Sequence, residues 1–391
     1  MNSRLVRVLA LVACGWLAAV LTRPATRVLM PTPESEPNNT PATANPLSLT
    51  PLSSTASFAV VSGSISPLGD VDYFSFTAAP GSKLWALVDS GASTTGRDSF
   101  LTLYGSDGTT VLETDDDDGT GTNCGGTILT RFDATIAGHT LTAGGAYFLK
   151  VEAFGGATTI SAYKLFVTVT TSSTSEAEPN NTAATANPIV TALSPIGVRA
   201  AAITPAGDVD FYSVTVTAPA TLFISADGDP ERDGVGTDVV LDLIAPDGTT
   251  VLLHVDNTDN VGLPPPPAEG FCFNISTPGT YFVRVSGFTS SMITTTGTYA
   301  LMVGALGLPT TPTPTPTRTL TPTVTTTTVV GGPTATPTVT PTMGAATATP
   351  TSTSTPLGGI APSNIPTLSF PMLLLMGLGL VASAFLLVRR L

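Results

Sequence analysis

Between residues 34 and 304 the apolar residues fall in short runs, such as Phe100-Leu101-Thr102-Leu103-Tyr104 and Tyr147 to Phe154, separated by clusters of Gly, Asp and Pro. Runs of this length bounded by turn residues predict antiparallel β-strands. No stretch in this region carries the three-to-four-residue period of an amphipathic helix. Asp107-Gly108 and Asp247-Gly248 each lie between two apolar runs, where glycine supplies the positive φ of a tight hairpin.

The pattern occurs twice. Glu34-Ser35-Glu36-Pro37-Asn38-Asn39-Thr40 returns as Glu176-Ala177-Glu178-Pro179-Asn180-Asn181-Thr182. Gly69-Asp70-Val71-Asp72-Tyr73-Phe74 returns as Gly207-Asp208-Val209-Asp210-Phe211-Tyr212. Asp107 to Leu112 matches Asp247 to Leu252, and Gly145 to Val151 matches Gly279 to Val285. Four blocks in one order, offset by about 140 residues, indicate duplication of a whole domain. About eight strands per copy predict an all-β fold of two tandem β-sandwiches, residues 34–170 and 176–304.

The ends of the chain have a different character. Arg4 and Arg7 precede the apolar run Val8 to Leu21, as in an export signal covering residues 1–26, with cleavage expected between Ala19 and Thr26. Leu11-Val12-Ala13-Cys14 also resembles a lipoprotein box, with Cys14 as the lipidated residue. Residues 309–364 are rich in Pro and Thr, and no Asp or Glu follows Glu269. Such a segment cannot bury a core and is expected to be an extended spacer or a disordered linker, suited to O-glycosylation. Leu368 to Val388 carries no charge and is followed by Arg389-Arg390, which predicts a membrane-spanning helix with a cytoplasmic C-terminus.

The sequence contains only 11% charged residues and has a formal net charge of −13. That balance disfavours nucleic acid, which requires clustered Lys and Arg, and suits divalent cations. In an extended chain, residues two apart point to the same side, so Glu34, Glu36 and Asn38 share a side, as do Asp70 and Asp72. Folding the opening segment against the strand that follows gathers hard oxygen ligands of the kind Ca²⁺ takes. Asn39 adds an amide, and Glu176, Glu178, Asn180, Asn181, Asp208 and Asp210 repeat the set. The alternative is a solvated acidic linker beside a polar strand edge. A second acidic run, Asp115-Asp116-Asp117-Asp118, has Asp256, Asn257 and Asp259 at matching positions. It fails as an EF-hand loop and reads as a solvated loop.

For catalysis the sequence offers little. The two histidines, His139 and His254, occupy non-equivalent positions, and no His-Glu-x-x-His, Gly-x-Ser-x-Gly or phosphate-cradling Gly-Lys-Ser/Thr motif occurs. Trp85 reads as a core aromatic rather than a sugar platform. Cys124 and Cys272, one per copy, are also non-equivalent; each is expected to be buried, or the two are bridged.

The Glu-x-Glu-Pro-Asn-Asn opening, the Gly-Asp-Val-Asp-aromatic strand and the Gly-x-Tyr-Phe strand resemble the bacterial pre-peptidase C-terminal domain family. The resemblance implies a jelly-roll-like sandwich in each copy. In related collagenase modules the opening segment and the aspartate pair hold Ca²⁺. Ile365-Pro366-Thr367-Leu368-Ser369, the apolar stretch and the terminal arginines resemble IPTL-type C-terminal sorting signals over residues 365–391, although Phe370 and Pro371 depart from the family's acidic residue and tryptophan. That resemblance implies an exosortase-like processing protease as a partner. The expected protein is a non-enzymatic, exported and membrane-anchored surface chain that binds Ca²⁺ and presents its domains to an extracellular protein or polysaccharide. Alternatives are an accessory component of a secreted peptidase system and a structural envelope protein.

Overall fold

A computed structural model describes residues 30–156, 158–257, 267–289 and 295–307, all within one compact unit. The predicted signal, Pro/Thr-rich linker and membrane segment lie outside the described residues. Among the described residues no helix is long and apolar enough to cross a membrane.

Each copy forms two facing sheets with the same strand order. In the first copy, one sheet runs Asn45–Pro46, Val71–Ala78, Gly145–Ala153, Ser99–Tyr104, Val111–Asp115. The facing sheet runs Thr32–Pro33, Ala56–Ile65, Ile160–Thr170, Ser82–Asp89, Thr135–Leu141, with Thr50–Pro51 beside Ala56–Ile65. The second copy repeats the first sheet as Asn187–Val190, Val209–Val216, Gly279–Gly287, Val239–Ile244, Val251–Val255. Alternation decides the inward face: Phe74 and Phe76, with Tyr147, Leu149 and Val151, meet Leu84, Val88, Leu165 and Val167 in the first core. Both hairpins form as predicted, with Gly108 at φ 68° and Gly248 at φ 74°. Asp107 accepts hydrogen bonds from the Thr109 and Thr110 amides, and Asp247 does the same for Thr249 and Thr250.

The fourth sheet joins the copies. It runs Thr174–Ser175, Ile196–Ile203, Gly297–Gly307, Ala220–Asp227, Ala268–Ile275 and then continues into Gly119–Gly121 and Thr130–Asp133 of the first copy. Gly119 pairs in parallel with Gly270, and Thr120 with Phe271. A Cβ on Gly119 would lie 2.6 Å from the Asp133 carbonyl, so the approach requires glycine.

Along Ser82–Asp89 and Ala220–Asp227 nearly every residue is buried, because both faces of these strands are covered. Their outer faces meet in a third core, where Phe58, Trp85, Leu87 and Phe166 pack against Val198, Phe223, Met302 and Leu306. The Phe58 and Phe223 rings lie 4.8 Å apart. Trp85 donates to Thr170 Oγ1 at 3.1 Å, which satisfies its buried N–H. Cys124 and Cys272, 148 residues apart, form a disulfide across this seam.

The acidic run after the first hairpin departs from the expected solvated loop. Asp115 is 2% exposed and Asp118 8%. Asp115 pairs with Leu101 inside the first sandwich, Asp116 is half-buried and Asp117 is exposed, and the strand that follows the run pairs with the second copy.

Candidate metal centre

The chain enters each sandwich along a sheet edge. Thr32 and Pro33 pair in parallel with Val61 and Ser62, and the Glu34 amide donates to the Ser62 carbonyl at 3.0 Å. This pairing turns the Glu34 carboxylate inward over Gly63, where a Cβ would lie 2.4 Å from Glu34 Oε2. Glu34 Oε1 accepts the Ser64 amide at 2.7 Å, and Oε2 lies 3.2 Å from the Tyr163 hydroxyl. Asn45 brackets the opening segment, accepting the Ser35 amide and donating to the Ser35 carbonyl. The Tyr73 amide donates to the Asn38 carbonyl at 2.9 Å, pinning the segment to the strand that carries Asp72.

As a result Glu34, Glu36 and Asp72 each place a carboxylate oxygen within 4.8 Å of the others. Glu176, Glu178 and Asp210 do the same in the second copy. Oxygens sharing one Ca²⁺ at 2.3–2.6 Å are at most about 5 Å apart, so both clusters have a compatible spacing. Asp72, Asp210, Asn38 and Asn180 are 0% exposed. Among the described residues no Lys, Arg or His forms an ion pair with any of these carboxylates.

The electrostatics follow from that placement. Burial, with Glu34 alongside, pushes the Asp72 carboxyl up to about 9. Burial also raises Asp210, to about 8, with the charges of Glu176, Asp208 and Glu178 acting in the same direction. Tyr163 and Tyr299 are held well above the usual phenol range by burial and by the adjacent aspartates. Tyr163 donates to Asp72 Oδ2 at 2.5 Å, and Tyr299 donates to Asp210 Oδ2 at 2.6 Å.

Two oxygens in the second cluster lack a donor. Asn180 Oδ1 and Asp210 Oδ1 are buried without a hydrogen-bond partner. In the first copy one terminus of the Asn38 amide lies 3.0 Å from Asp72 Oδ1 and 3.1 Å from Glu36 Oε2. As nitrogen it donates to both; as oxygen it needs a cation among the three. Hard, oxygen-only, buried at the aspartates and amides, and partly unsatisfied, the donor set fits Ca²⁺ rather than a softer metal.

The structure does not gather every residue of the sequence-derived set. Asn39 donates to Asp70 Oδ1 at 2.7 Å, and Asn181 donates to Asp208 Oδ1 at 2.6 Å. Asp70 also accepts the Ser66 and Val71 amides, and Asp208 the Thr204 and Val209 amides. These four residues brace the turn before the strand rather than facing the cluster, because each aspartate precedes the strand and escapes its alternation. The tyrosines were absent from the sequence reading. Their signal was the repeat itself, Ala-Tyr-Lys-Leu at 162–165 against Thr-Tyr-Ala-Leu at 298–301. The second copy adds Tyr212, which donates to Glu176 Oε2 at 2.8 Å where the first copy has Phe74.

Residues 208–287, most of the second copy, match the family model of the bacterial pre-peptidase C-terminal domain. That family is a β-sandwich domain of secreted proteins. Among solved structures, the chain is similar to the pre-peptidase C-terminal domain of a collagenase from Bacillus anthracis, with 15% identity and a TM-score of 0.22. The match covers 33% of this chain and 99% of that one. The CUB1-EGF-CUB2 domains of rat MASP-1 match at 8% identity and a TM-score of 0.18, covering 63% of this chain and 97% of that one. No curated protein matches the sequence.

Proposed function

We propose that the chain is a non-catalytic, exported surface protein whose two sandwich copies each bind one Ca²⁺ at the chain's point of entry and serve adhesion or ligand binding. The observation that carries the reading is the duplicated cluster of acidic and amide oxygens around a buried aspartate, with two oxygens left unpartnered in the second copy. Glu34, Glu36, Asp72 and the Asn38 amide oxygen hold the ion in the first copy; Glu176, Glu178, Asp210 and Asn180 hold it in the second. A bound cation neutralises carboxylates that otherwise repel one another in a buried site. It thereby fastens the opening segment to the sandwich. Tyr163 and Tyr299 orient the aspartates from behind, leaving their remaining oxygens to the ion.

The N-terminal signal, the Pro/Thr-rich linker and the apolar C-terminal segment with its sorting-signal resemblance support export, a spacer and anchoring. The family match favours a second reading, in which the copies act as accessory domains for a separately encoded secreted peptidase. Thermal melts of the purified chain in Ca²⁺ and in EDTA test the metal. The melting temperature rises with Ca²⁺ and falls back with EDTA, and identical melts would overturn the reading. Pull-downs against collagen, polysaccharides and secreted peptidases separate adhesion from the accessory role.

A further inference from the structure

Ser82–Asp89 and Ala220–Asp227 are equivalent strands, and each ends in a buried aspartate on the seam between the copies. The two aspartates have different partners. Asp227 accepts from Arg232 Nη1 at 2.6 Å, and the same guanidinium donates through Nη2 to the Ala137 carbonyl of the first copy at 2.6 Å. Glu113, also of the first copy, lies 3.3 Å from Arg232. This end of the seam is closed by charge.

At the other end Asp89 stands against the disulfide. Its Oδ1 accepts the Gly91 amide at 2.8 Å and the Asn123 amide at 3.0 Å. Its Oδ2 accepts the Cys124 amide at 3.0 Å, and lies 2.8 Å from Cys272 Sγ and 3.7 Å from Cys124 Sγ. Asn123 and Cys124 have φ of 50° and 55°, a left-handed conformation that side chains rarely adopt. The turn's own amides donate to Asp89, and the Gly125 amide closes it on the Thr122 carbonyl at 2.9 Å. Two further bonds cross the seam: the Asn274 amide donates to the Cys124 carbonyl at 2.8 Å, and Thr122 Oγ1 donates to the Cys272 carbonyl at 2.7 Å. Both cysteines are buried, 3% and 0% exposed.

We propose that Cys124–Cys272 is a redox-closed clasp on the seam and that Asp89 is its positioning residue. Asp89 holds the left-handed turn that presents Cys124 to the second copy. The clasp closes only when the seam is docked, because the two sulfurs belong to different copies. Closing requires a disulfide oxidant, such as oxidised glutathione. The Cys124 thiolate attacks the oxidant's S–S bond, forming a mixed disulfide and releasing one thiolate. The Cys272 sulfur then attacks Cys124 Sγ, releasing the second thiolate. The protons from the two cysteines pass to the released thiolates, so two thiols are oxidised and one disulfide is reduced. Once closed, the clasp fixes the orientation of the copies where hydrogen bonds and packing alone would leave it reversible.

The test uses the full chain in detergent, reduced in the native state and equilibrated with glutathione buffers of graded oxidised-to-reduced ratio. Alkylation and mass spectrometry then report the closed fraction. Wild type is expected to close, and Asp89→Asn to need a ratio about tenfold more oxidising for half closure. In urea, where no turn is held, the two chains should close alike. A wild type that stays open in oxidised glutathione, or an Asp89→Asn chain with the wild-type midpoint, overturns the proposal. The double variant Cys124→Ser/Cys272→Ser gives a readout that is independent of Asp89. Its amides in Gly119–Gly121 and Ala268–Ile275 should exchange with deuterium at least tenfold faster, while those of Gly145–Ala153 hold their rate. Unchanged exchange across the seam would equally overturn the clasp.

Discussion

Phe223→Ala tests whether the seam welds the copies into one cooperative unit. Phe223 is 2% exposed; its ring lies 4.8 Å from Phe58 and 6.1 Å from Phe166, both of the other copy. Beneath the ring is Gly304, where a Cβ would fall 2.0 Å from Phe223 Cε1. Deleting the ring leaves a void with a glycine as its floor, and a glycine has no side chain to move in. The walls are strands fixed in two hydrogen-bonded sheets, so collapse is restricted. Phe→Ala in such a core costs about 3–5 kcal/mol, and the restricted collapse places this site at about 4. Urea unfolding with the disulfide intact, in saturating Ca²⁺, reports the change as a lower midpoint. With a slope of about 3 kcal/mol/M the midpoint falls by about 1.3 M. A loss below about 1 kcal/mol would refute the reasoning, since the third core would then contribute nothing beyond surface contact. So would a wild-type curve that already separates into two transitions.

Asp72→Asn removes a carboxylate that must take up a proton to be buried without a cation. The variant should melt no lower than wild type in EDTA yet show a smaller Ca²⁺-induced rise, and an undiminished rise would count against Asp72 as a ligand. Asp133 is buried, accepting the Ser90 amide and the Ser99 hydroxyl, and burial together with the Asp89 charge pushes it up to about 8. The unfolded value is about 3.9, so between these values the folded chain binds the extra proton and stability falls as pH rises. Asp133→Asn should therefore flatten urea midpoints measured from about pH 5 to 8, gaining most at the alkaline end, whereas parallel pH curves would contradict that sign.

Much of each sandwich was legible because its signals are local. The Asp-Gly hairpins, the alternating strands and the duplicated blocks all depend on neighbours in sequence. The acidic clusters were legible in part. The structure brings Glu34, Glu36 and Asp72 together, as alternation leads one to expect, but holds Asp70 in a turn where a strand's period has no force. The seam left weaker traces. Leu84-Trp85-Ala86-Leu87-Val88 lacks alternation, which reports two covered faces but not what covers the second. Gly119-Thr120-Gly121 has no apolar residue and reads as a turn; it becomes a strand only through backbone pairing with a segment about 150 residues away. The non-equivalence of Cys124 and Cys272 was a further sequence mark of the junction. Cysteines that bridge two copies need not occupy matching positions: Cys124 lies in the turn after Gly119–Gly121, and Cys272 within the strand Ala268–Ile275.

The central claim is that each copy holds its own calcium ion. Isothermal titration calorimetry of the metal-stripped full chain with CaCl₂ tests it most directly. Two ions should bind per wild-type chain, one per chain in Asp72→Asn or Asp210→Asn, and none in the double variant. A wild-type chain that takes up no Ca²⁺, or a double variant that still binds two, would contradict it.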